Sequence, residues 1–338
     1  MSGLVSIVIP NLNKKDLLDS CLRSLAAQGY PDIETIVVDN GSTDGAPEMV
    51  MAGFPRARVI RFSENRGFSA AVNAGIEAAS GELVALINND ADADPKWVSE
   101  LVAAAERHPE AGFFASKILF YDDRKIIDTF GDSFSKAGFG FKIGWGEEDG
   151  AKYGEEVFVL GACGGAALYR KAMLEDIKVG GEYFDNDFFA FGEDLDLSLR
   201  AQLKGYRCVA VPSAKVYHRV RATAGRKSQL PIFLGHRNFI FCILKDFPGP
   251  VIMKNLPSIF TYLLFSLAWD ILFKRKLSIL KSYIDVLKKR KIILRKRSAI
   301  MAGQKVSDSE FNGILSGRWF FTWLRLGRSS HLIRKRAI

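Results

Sequence analysis

Cysteine is scarce in this sequence, and the few cysteines show no metal-binding pattern. The 338 residues include Cys21, Cys163, Cys208 and Cys242, and no two of them lie at the short spacing of paired zinc ligands. We therefore expect the thiols to be reduced and mostly buried, as in a cytosolic protein. The first predicted strand begins directly after Met1-Ser2-Gly3, which leaves no room for a signal peptide.

The glycine motifs that hold phosphate groups in many nucleotide-binding proteins are also missing. No Gly-x-Gly-x-x-Gly follows the first strand, and the Walker pattern is absent. A nucleotide diphosphate would have to be held in another way, for example by a metal ion. The chain also lacks a zinc finger, an RNA-recognition signature and a basic-zipper pattern, so we expect no nucleic acid partner.

The main apolar stretch is shorter than the roughly 20 residues that a membrane-spanning helix needs. It covers residues 256–269, 14 residues that are apolar apart from Ser and Thr, and ends before Asp270. This length predicts a helix that does not cross a bilayer.

Acidic residues are scarce near the C-terminus, and this leaves the charge unevenly divided. Residues 231–338 hold 21 Lys and Arg against 5 Asp and Glu, a net charge of +16, whereas residues 1–230 carry a net charge of −7. Residues 274–297 contain 11 basic residues and one acid, Asp285. Their apolar residues keep helical spacing: Leu277, Leu280, Ile284, Leu287 and Leu294.

This charge division predicts a basic, membrane-associating helical region, residues 231–338. A basic amphipathic helix beside a short apolar helix is typical of a protein that lies on an anionic membrane, here its cytoplasmic face. Two alternatives stay open. Residues 256–269 could pack against the rest of the chain and leave the basic helix in solvent, or the helices could mediate self-association.

Strands and helices alternate in the N-terminal part of the chain. Strands are predicted at residues 5–9, 33–38, 57–62 and 83–87, and helices at residues 14–28 and 69–79. Alternation at this spacing indicates an α/β fold with a mainly parallel sheet. We expect a catalytic domain at residues 1–230, with a nucleotide-binding half at 1–94 and an acceptor half at 95–230.

Polar residues follow each of these strands, and acids follow the fourth. Asn11, Asp39 and Asn65 come at the first three strand ends, and Asp90 and Asp92 come just after the apolar run 83–87. Ligands of open α/β sheets bind beyond the carboxyl ends of the strands. Carboxylates there suit Mg²⁺ or Mn²⁺. The alternative is that the acids cap a helix that starts near residue 95.

Four segments together resemble the signature blocks of family 2 glycosyltransferases, closest to the rhamnosyltransferase-like branch. They are SIVIPN (6–11), VVDNGSTD (37–44), NRGFSAAVNAG (65–75) and LINND (86–90), and the resemblance covers about residues 4–240. It implies the A-type glycosyltransferase fold, with a Rossmann-like, mixed but mainly parallel sheet. It also implies a nucleotide-sugar donor site, with Asp39 facing the base, made of Pro10, Asn11, Asn13, Asp39, Asn40, Ser42, Asn65, Gly67, Asn73, Asn88 and Asn89.

The same resemblance implies a metal site. Asp90 stands at the last position of the family's Asp-x-Asp motif, although Asn88 replaces the first acid. Asp90-Ala91-Asp92 offers a second register, so Asp92 is a lesser candidate. His218 would be a further ligand, although a lone histidine is usually structural, and Arg219 or Arg221 could meet phosphate.

In the acceptor half, small, aromatic and acidic residues are the candidates. Residues 121–158 are rich in glycine and aromatics, among them Trp145, which suits either a sugar-binding surface or a hairpin with its own apolar cluster. By resemblance, Gly164 and Gly165 lie beside the donor sugar. Glu193 and Asp194 resemble the family's Glu-Asp motif, in which the aspartate is the general base. Acids in a first helical turn are also favoured by the helix dipole alone.

These features predict an inverting, metal-dependent glycosyltransferase. It would move a sugar from a nucleotide-diphosphate donor, such as dTDP-rhamnose or a UDP-sugar, to a hydroxyl of a lipid-linked or cell-surface glycan. One alternative is a nucleotidyltransferase that makes nucleotide sugars, but the loop after the first strand, residues 10–13, lacks the expected glycines and basic residues. Another is a non-catalytic nucleotide-sugar-binding protein, which would be expected to have lost Asp90 or Asp194.

Overall fold

The computed structural model describes residues 3–220, 229–274 and 277–318. The strands are β1 (Val5–Asn11), β2 (Ile33–Asn40), β3 (Ala57–Phe62), β4 (Leu83–Ile87), β5 (Ala91–Ala93), β6 (Ala111–Phe120), β7 (Ile127–Thr129), β8 (Asp132–Phe134), β9 (Gly140–Lys142), β10 (Val157–Val159), β11 (Ala166–Arg170) and β12 (Arg207–His218). The helices are α1 (Lys15–Ala26), α2 (Ala46–Gly53), α3 (Phe68–Ala78), α4 (Trp97–Arg107), α5 (Lys171–Asp176), α6 (Glu193–Leu203), α7 (Leu230–Asp246), α8 (Gly249–Trp269), α9 (Ser278–Ala302) and α10 (Asp308–Ile314).

One mixed sheet organises the fold. Its strands run in the order β10-β12-β6-β11-β4-β1-β2-β3, with β5 paired to β12 and β7 to β6. The neighbours from β4 through β1 and β2 to β3 are parallel, as predicted, and β11 is antiparallel to both β4 and β6. Strands β8 and β9 form a separate hairpin.

The central strands are apolar on both faces because helices cover both sides. Along β1, Ile7 and Ile9 belong to one buried cluster and Val8 to the other. Successive side chains of a strand point to opposite faces, so a strand buried on both sides is a continuous apolar run. Gly75 of α3 lets that helix approach the sheet, since a Cβ there would lie 2.2 Å from a methyl carbon of Val8.

Strand β5 is among the elements that the sequence did not predict. Its residues pair antiparallel with the end of β12, so that Asp92 lies opposite Tyr217 and Ala91 opposite His218. The capping interpretation of Asp90 and Asp92 is wrong for helix α4. That helix begins at Trp97, and the acid beside its start is Asp94, which accepts a hydrogen bond from the Lys96 amide.

The aromatic segment 121–158 forms a packed structure. Phe130, Phe134 and Tyr153 are buried, and the Phe134 ring packs edge-on against Phe247 of the C-terminal region. The structure therefore favours the interpretation as a hairpin with its own core over a surface that covers sugar.

Helix α8 is longer than the apolar run 256–269 suggested. It continues through a π-helical turn, Asp270–Lys274, and within the described residues Gly249–Phe273 is long and apolar enough to cross a bilayer. The sequence-based argument that this segment is too short to span was wrong, because helix formation extends past Pro257 toward the N-terminus. Most of the apolar part of this segment is exposed, and only 17% of it is buried.

The C-terminal helices share a core with the rest of the chain. Phe188, Leu195 and Leu199 form one cluster with Ile240 and Ile293. Some basic residues of α9 also point inward, which contradicts the alternative that the basic helix lies in solvent. Lys289 bonds Asp187 and Lys296 bonds Asp185 and Asp187, which lie before α6. Arg297 instead donates to the carbonyls of Leu244 and Phe247 at the end of α7.

Candidate functional site

Three strand ends are tied together by amide side chains. Asn11, at the end of β1, donates from Nδ2 to Asp39 Oδ1 at 3.0 Å and to Ser42 Oγ at 3.1 Å. The amide of Asn89, just past β4, donates to Asn11 Oδ1 at 2.7 Å. Asn13 adds its backbone amide to Ser42. The parallel order of β4, β1 and β2 thus gathers five predicted donor-binding residues at one edge.

Asp39 is buried within this group. Its Oδ1 accepts from Asn11, and its Oδ2 accepts the Ser42 amide at 3.1 Å. Each carboxylate oxygen of Asp39 therefore accepts a hydrogen bond, and the predicted role of Asp39 facing a base stays a prediction. Pro10 lies between these residues and the core of β1 and is partly buried.

The loop after β3 forms the next wall. Buried Asn40 donates to Asn65 Oδ1 and to the Gly67 carbonyl, both at 3.0 Å, and accepts the Arg66 amide. Gly67 has a φ of 90°, and a Cβ there would lie 2.6 Å from the Phe189 ring, so only glycine fits. Asn40 therefore shapes the loop rather than offering its amide to a ligand.

Asn73 differs from its predicted role in donor binding. Its Nδ2 donates to the Phe184 carbonyl at 2.7 Å, and its Oδ1 accepts the Phe184 amide at 2.8 Å. Its Nδ2 also lies 3.1 Å from Asn186 Oδ1. The Asn73 side chain therefore joins α3 to the segment before α6, and these contacts use both its amide nitrogen and its oxygen.

Asp90 and His218 meet where β4 and β12 end. His218 Nε2 lies 3.2 Å from Asp90 Oδ1, and His218 Nδ1 lies 2.9 Å from Asp128 Oδ2. Burial alone would lower the pKa of His218, but the two carboxylates outweigh it and raise the pKa to about 9. Burial would raise the pKa of Asp128, yet Lys142 and His218 lower it to about 2.

Sequence reasoning missed Asp128 and Lys142. Lys142 Nζ lies 2.8 Å from Asp128 Oδ1, so a line of alternating charges runs from Asp90 through His218 and Asp128 to Lys142. The only indication of this site in the sequence was an acid, Asp128, within the short apolar stretch around β7. The surrounding segment was interpreted from its aromatic residues instead.

The lesser metal candidate, Asp92, is occupied by other partners. Both of its oxygens pair with the guanidinium of Arg219, at 2.8 and 2.9 Å, and both accept from Ser20 Oγ. The same contacts commit Arg219 to Asp92 rather than to phosphate. Arg221, the alternative phosphate ligand, lies outside the described residues.

Asp194 sits in the first turn of α6, close to two glycines. Its Oδ2 accepts the Gly164 amide at 3.0 Å, and its Oδ1 accepts the Leu195 amide at 2.8 Å. Gly164 and Gly165 lie between Asp194 and Asn88, whose backbone N–H donates to the Gly165 carbonyl. The pKa of Asp194 is raised, because the effect of burial outweighs that of the two amide hydrogen bonds, which lower the pKa.

Two further acids surround Asp194. Glu193 is buried, and its Oε2 has no hydrogen-bond partner among the described residues. Burial, then the neighbouring Asp194 charge, raises the pKa of Glu193 well above its usual range. Burial and Asp194 do the same for Asp132, which sequence reasoning also missed. Asp132, Cys163 and Asp194 place one ligand atom each within 4.8 Å of one another.

The sequence also led to expectations for Trp145 and the cysteines. Trp145 is half-buried in the turn after β9, and its predicted contact with sugar stays a prediction. The four thiols are free, and all but Cys163 are buried, in keeping with the sequence.

The comparison with known families decides the family. Residues 6–178, about half of the chain, match the family model "Glycosyl transferase family 2". The chain belongs to glycosyltransferase family 2. The predicted family and the predicted A-type glycosyltransferase fold are confirmed, as is the mixed, mainly parallel sheet.

This family 2 glycosyltransferase is similar to several bacterial proteins. It is 30% identical over 229 residues to the O-antigen biosynthesis protein RfbC of Myxococcus xanthus, covering 65% of this chain and 17% of RfbC. It is 27% identical over 265 residues to the N-acetylglucosaminyl-diphospho-decaprenol L-rhamnosyltransferase of Mycobacterium tuberculosis, covering 71% and 84%. It is 32% identical to the uncharacterized Sinorhizobium fredii protein y4gI over 66% of this chain. The chain spans a quarter or less of the lengths of RfbC and y4gI.

Solved structures share its fold at low identity. The mannosyltransferase PcManGT of Pyrobaculum calidifontis, solved with GDP-mannose and Mn²⁺, is 19% identical with a TM-score of 0.53, over 89% of this chain and 86% of that one. TarS of S. aureus, solved with UDP-GlcNAc, is 16% identical with a TM-score of 0.55, over 93% of each chain.

Proposed function

We propose that this chain is an inverting glycosyltransferase that uses a nucleotide-diphosphate sugar and transfers the sugar to a hydroxyl of a lipid-linked or cell-surface glycan. One observation carries the proposal. A partly buried aspartate with a raised pKa, Asp194, lies against Gly164, while Asp90 and His218 meet at the end of the adjoining strand β4. A base and a pair of metal-binding groups are what displacement of a diphosphate requires.

The donor set fits a divalent cation. A carboxylate oxygen of Asp90 and an imidazole nitrogen of His218, 3.2 Å apart, can both reach one ion once the imidazolium has released its proton. Asp128 would hold the other ring nitrogen of His218, as carboxylates often do for histidine ligands. Mg²⁺ prefers an all-oxygen shell, so the nitrogen favours Mn²⁺. When bound, the ion neutralises charge on the leaving diphosphate.

The chain's own contribution to transfer is positioning and a proton acceptor. As the acceptor oxygen bonds to the anomeric carbon, its proton passes to the Asp194 carboxylate. The bond from that carbon to the diphosphate oxygen breaks, and the diphosphate leaves with the electron pair. The single displacement inverts the anomeric carbon. The raised pKa makes Asp194 a stronger base than an exposed aspartate, and such transfer contributes about 10²–10⁴-fold.

The nature of the donor and acceptor is proposed from the relatives. The M. tuberculosis relative is named for transfer of L-rhamnose to a lipid-linked acceptor, over 84% of its own length. We therefore favour dTDP-rhamnose, or a UDP-sugar as in TarS, and an acceptor carried on a lipid diphosphate.

The test is hydrolysis of nucleotide sugars without an acceptor. The full chain is incubated with dTDP-rhamnose, UDP-GlcNAc and GDP-mannose, with Mn²⁺, Mg²⁺ or chelator, and the released nucleotide is measured. We expect one donor to be hydrolysed slowly, only with metal. Absence of hydrolysis and of binding for every donor would refute the donor proposal. Formation of nucleotide sugar from sugar phosphate and nucleoside triphosphate would indicate a nucleotidyltransferase.

A further inference from the structure

The two long C-terminal helices expose apolar side chains where a packed helix pair would bury them. On α8, Phe260 is 63% exposed and Leu264 55%, and on α9, Leu287 is 62% exposed. The remaining exposed apolar residues of these helices and the turns beside them are Met253, Leu256, Ile271, Leu272, Phe273, Leu277, Leu280, Ile284 and Leu294. We call these residues together the apolar face.

The apolar face is continuous with a cleft of about 390 Å³ between the helices. Phe260, Leu264 and Leu287 belong to both the face and the cleft wall, and Ile240 and Val286 line its floor. An exposed apolar surface of this kind marks a place where a partner or a membrane binds.

Basic residues border the apolar face on α9. Lys281, Lys288 and Arg295 are exposed and recur every seven residues, each directly after an apolar residue of the face (Leu280, Leu287 and Leu294). None of the three forms an ion pair with a carboxylate in the part of the chain that the structure describes. Lys289 and Lys296 instead turn inward to Asp187 and Asp185. Helix α9 thus carries two sets of basic residues. One set forms ion pairs with acids before α6, and the other borders the apolar face.

We propose that this apolar face docks on an anionic lipid bilayer, with its basic border against lipid phosphates and its apolar side chains among the upper acyl chains. Apolar side chains bordered by cations fit the interface of such a leaflet. A soluble protein partner would need acids opposite the basic border and an apolar patch opposite the cleft. An anionic leaflet has negatively charged headgroups and apolar acyl chains at every position.

Contacts along α8 favour docking over crossing. At its N-terminal end Asn255 donates to Asn312 of α10 at 2.7 Å, and in its second half the Leu263 carbonyl accepts from Tyr283 of α9. Just past its C-terminal end, Asp270 accepts the Ile279 amide. Helix α8 is thus held to α9 and α10 at both ends and in between, which fits a helix lying at the surface.

The docked face would lie close to the catalytic helix. Tyr262 of α8 packs on Phe139 at a ring distance of 5.1 Å. The next residue, Gly140, lies against Leu195, the neighbour of Asp194, so closely that a Cβ would clash. Two layers of side chains therefore separate the face from α6. If the proposed function holds, an acceptor carried on a lipid would be presented to a site near the membrane.

The test measures vesicle binding of the full chain, independently of transfer activity. Vesicles of phosphatidylcholine alone are compared with vesicles that contain 30% phosphatidylglycerol by flotation, at about 0.1 and 0.5 M salt. We expect binding to the anionic vesicles only, weaker at high salt because the Debye length falls below about 10 Å. The variant K281E/K288E/R295E should lower the partition coefficient about 100-fold or more, since each cation near the leaflet contributes about 1 kcal/mol.

Two matched controls separate the surface from charge and hydrophobicity in general. R56E/K96E/K125E makes the same change of charge at exposed positions of the catalytic part and should bind vesicles as the wild type does. L287Q/L294Q should weaken binding at both salt concentrations, whereas M51Q/V157Q, at exposed apolar sites elsewhere, should not. All variants are first checked by circular dichroism for the wild-type fold.

Three results would overturn the proposal. The first is equal binding to neutral and anionic vesicles. The second is binding that resists high salt and the charge reversal, as for a helix that crosses the bilayer. The third is a change from dimer to monomer in L287Q/L294Q with vesicle binding unchanged, which would make the face a contact between copies of this chain. Failure of nucleotide-sugar hydrolysis leaves vesicle binding unaffected, so the two proposals fail separately.

Discussion

At the scale of single residues, Asp194 is the side chain on which the proposed chemistry depends. Asp194→Asn keeps the size but cannot accept a proton. Turnover should fall by about 10²-fold or more while donor affinity stays near that of the wild type. Isothermal titration with the donor and a steady-state assay measure the two quantities. Equal losses in both would mark Asp194 as a binding or structural residue, and Glu193→Gln provides the neighbouring comparison.

The pH dependence follows from the direction of the Asp194 pKa. Burial raises this pKa, so the carboxylate becomes protonated, and inactive as a base, at a higher pH than an exposed aspartate. Activity should therefore fall as pH decreases, with the midpoint of the acid limb above the ordinary value of about 3.9. A kcat/KM profile between pH 4 and 9 locates this midpoint. A flat profile across that range would contradict the role of Asp194 as the base.

Asp90 is the residue that tests the proposed metal site. Asp90→Ala should abolish metal-dependent binding of the donor nucleotide and leave the fold intact, because it removes the carboxylate that meets His218. Calorimetry with Mn²⁺ and nucleotide measures this. Asp92→Asn is the control, since Asp92 is held by Arg219 and Ser20 and should not affect the metal. Wild-type metal and nucleotide binding by Asp90→Ala would show that the assignment is wrong.

At the scale of elements, a buried charge cluster joins the C-terminal helices to the catalytic part. Lys245 of α7 contacts Asp185 and Asp196, and Lys296 of α9 reaches Asp185 from the other side. Burial would lower the pKa of Lys245, but the surrounding aspartates raise it, so the lysine stays charged. Asp185 lies in the segment that leads into α6. The cluster therefore connects three helices at a point close to the proposed base.

Removing one member of this cluster should be costly. Lys245→Met removes the buried cation between Asp185 and Asp196 and leaves Asp185 with Lys296 alone and Asp196 with Arg200 alone. Breaking a buried ion pair in this way costs up to about 3–5 kcal/mol. Urea unfolding followed by circular dichroism measures the loss. Lys305→Met is the control, because Lys305 is 63% exposed and 3.7 Å from Asp176, and should change stability by about 1 kcal/mol or less. Similar effects of the two substitutions would contradict a stabilising role for the buried cluster.

The elements also show how far sequence reasoning reaches. Strands β1 to β4 could be predicted because each is a short apolar run with polar residues at its end, and their parallel order brings those ends together. Asp128 and Lys142 could not be predicted, because their meeting with His218 joins residues 90 positions apart through strands only three residues long. Helical spacing likewise located α9 but could not tell which of its lysines face acids of another element.

At the scale of the whole molecule, helices α7 to α10 share a hydrophobic core with the catalytic part. Phe188, Leu195 and Leu199 are buried partly by helices α7 and α9. A chain that ends at residue 229 would expose these side chains and leave Asp185 and Asp196 without Lys245. We expect it to be insoluble or to unfold at least 10 °C below the full chain by differential scanning fluorimetry. A soluble truncated chain with wild-type melting would show that the catalytic domain at residues 1–230 folds on its own.

The buried lysine between two aspartates has a consequence for how the sequence can diverge. A lone substitution at position 185, 196 or 245 leaves a charge unbalanced, whereas replacing the whole group, with Lys296 and Arg200, by well-packed apolar residues can be neutral. Substitutions at these positions should therefore be inherited together. In an alignment of related chains that share helix α7, an apolar residue at position 245 should occur with the loss of at least one of the two acids. Independent variation of the three positions would contradict this expectation.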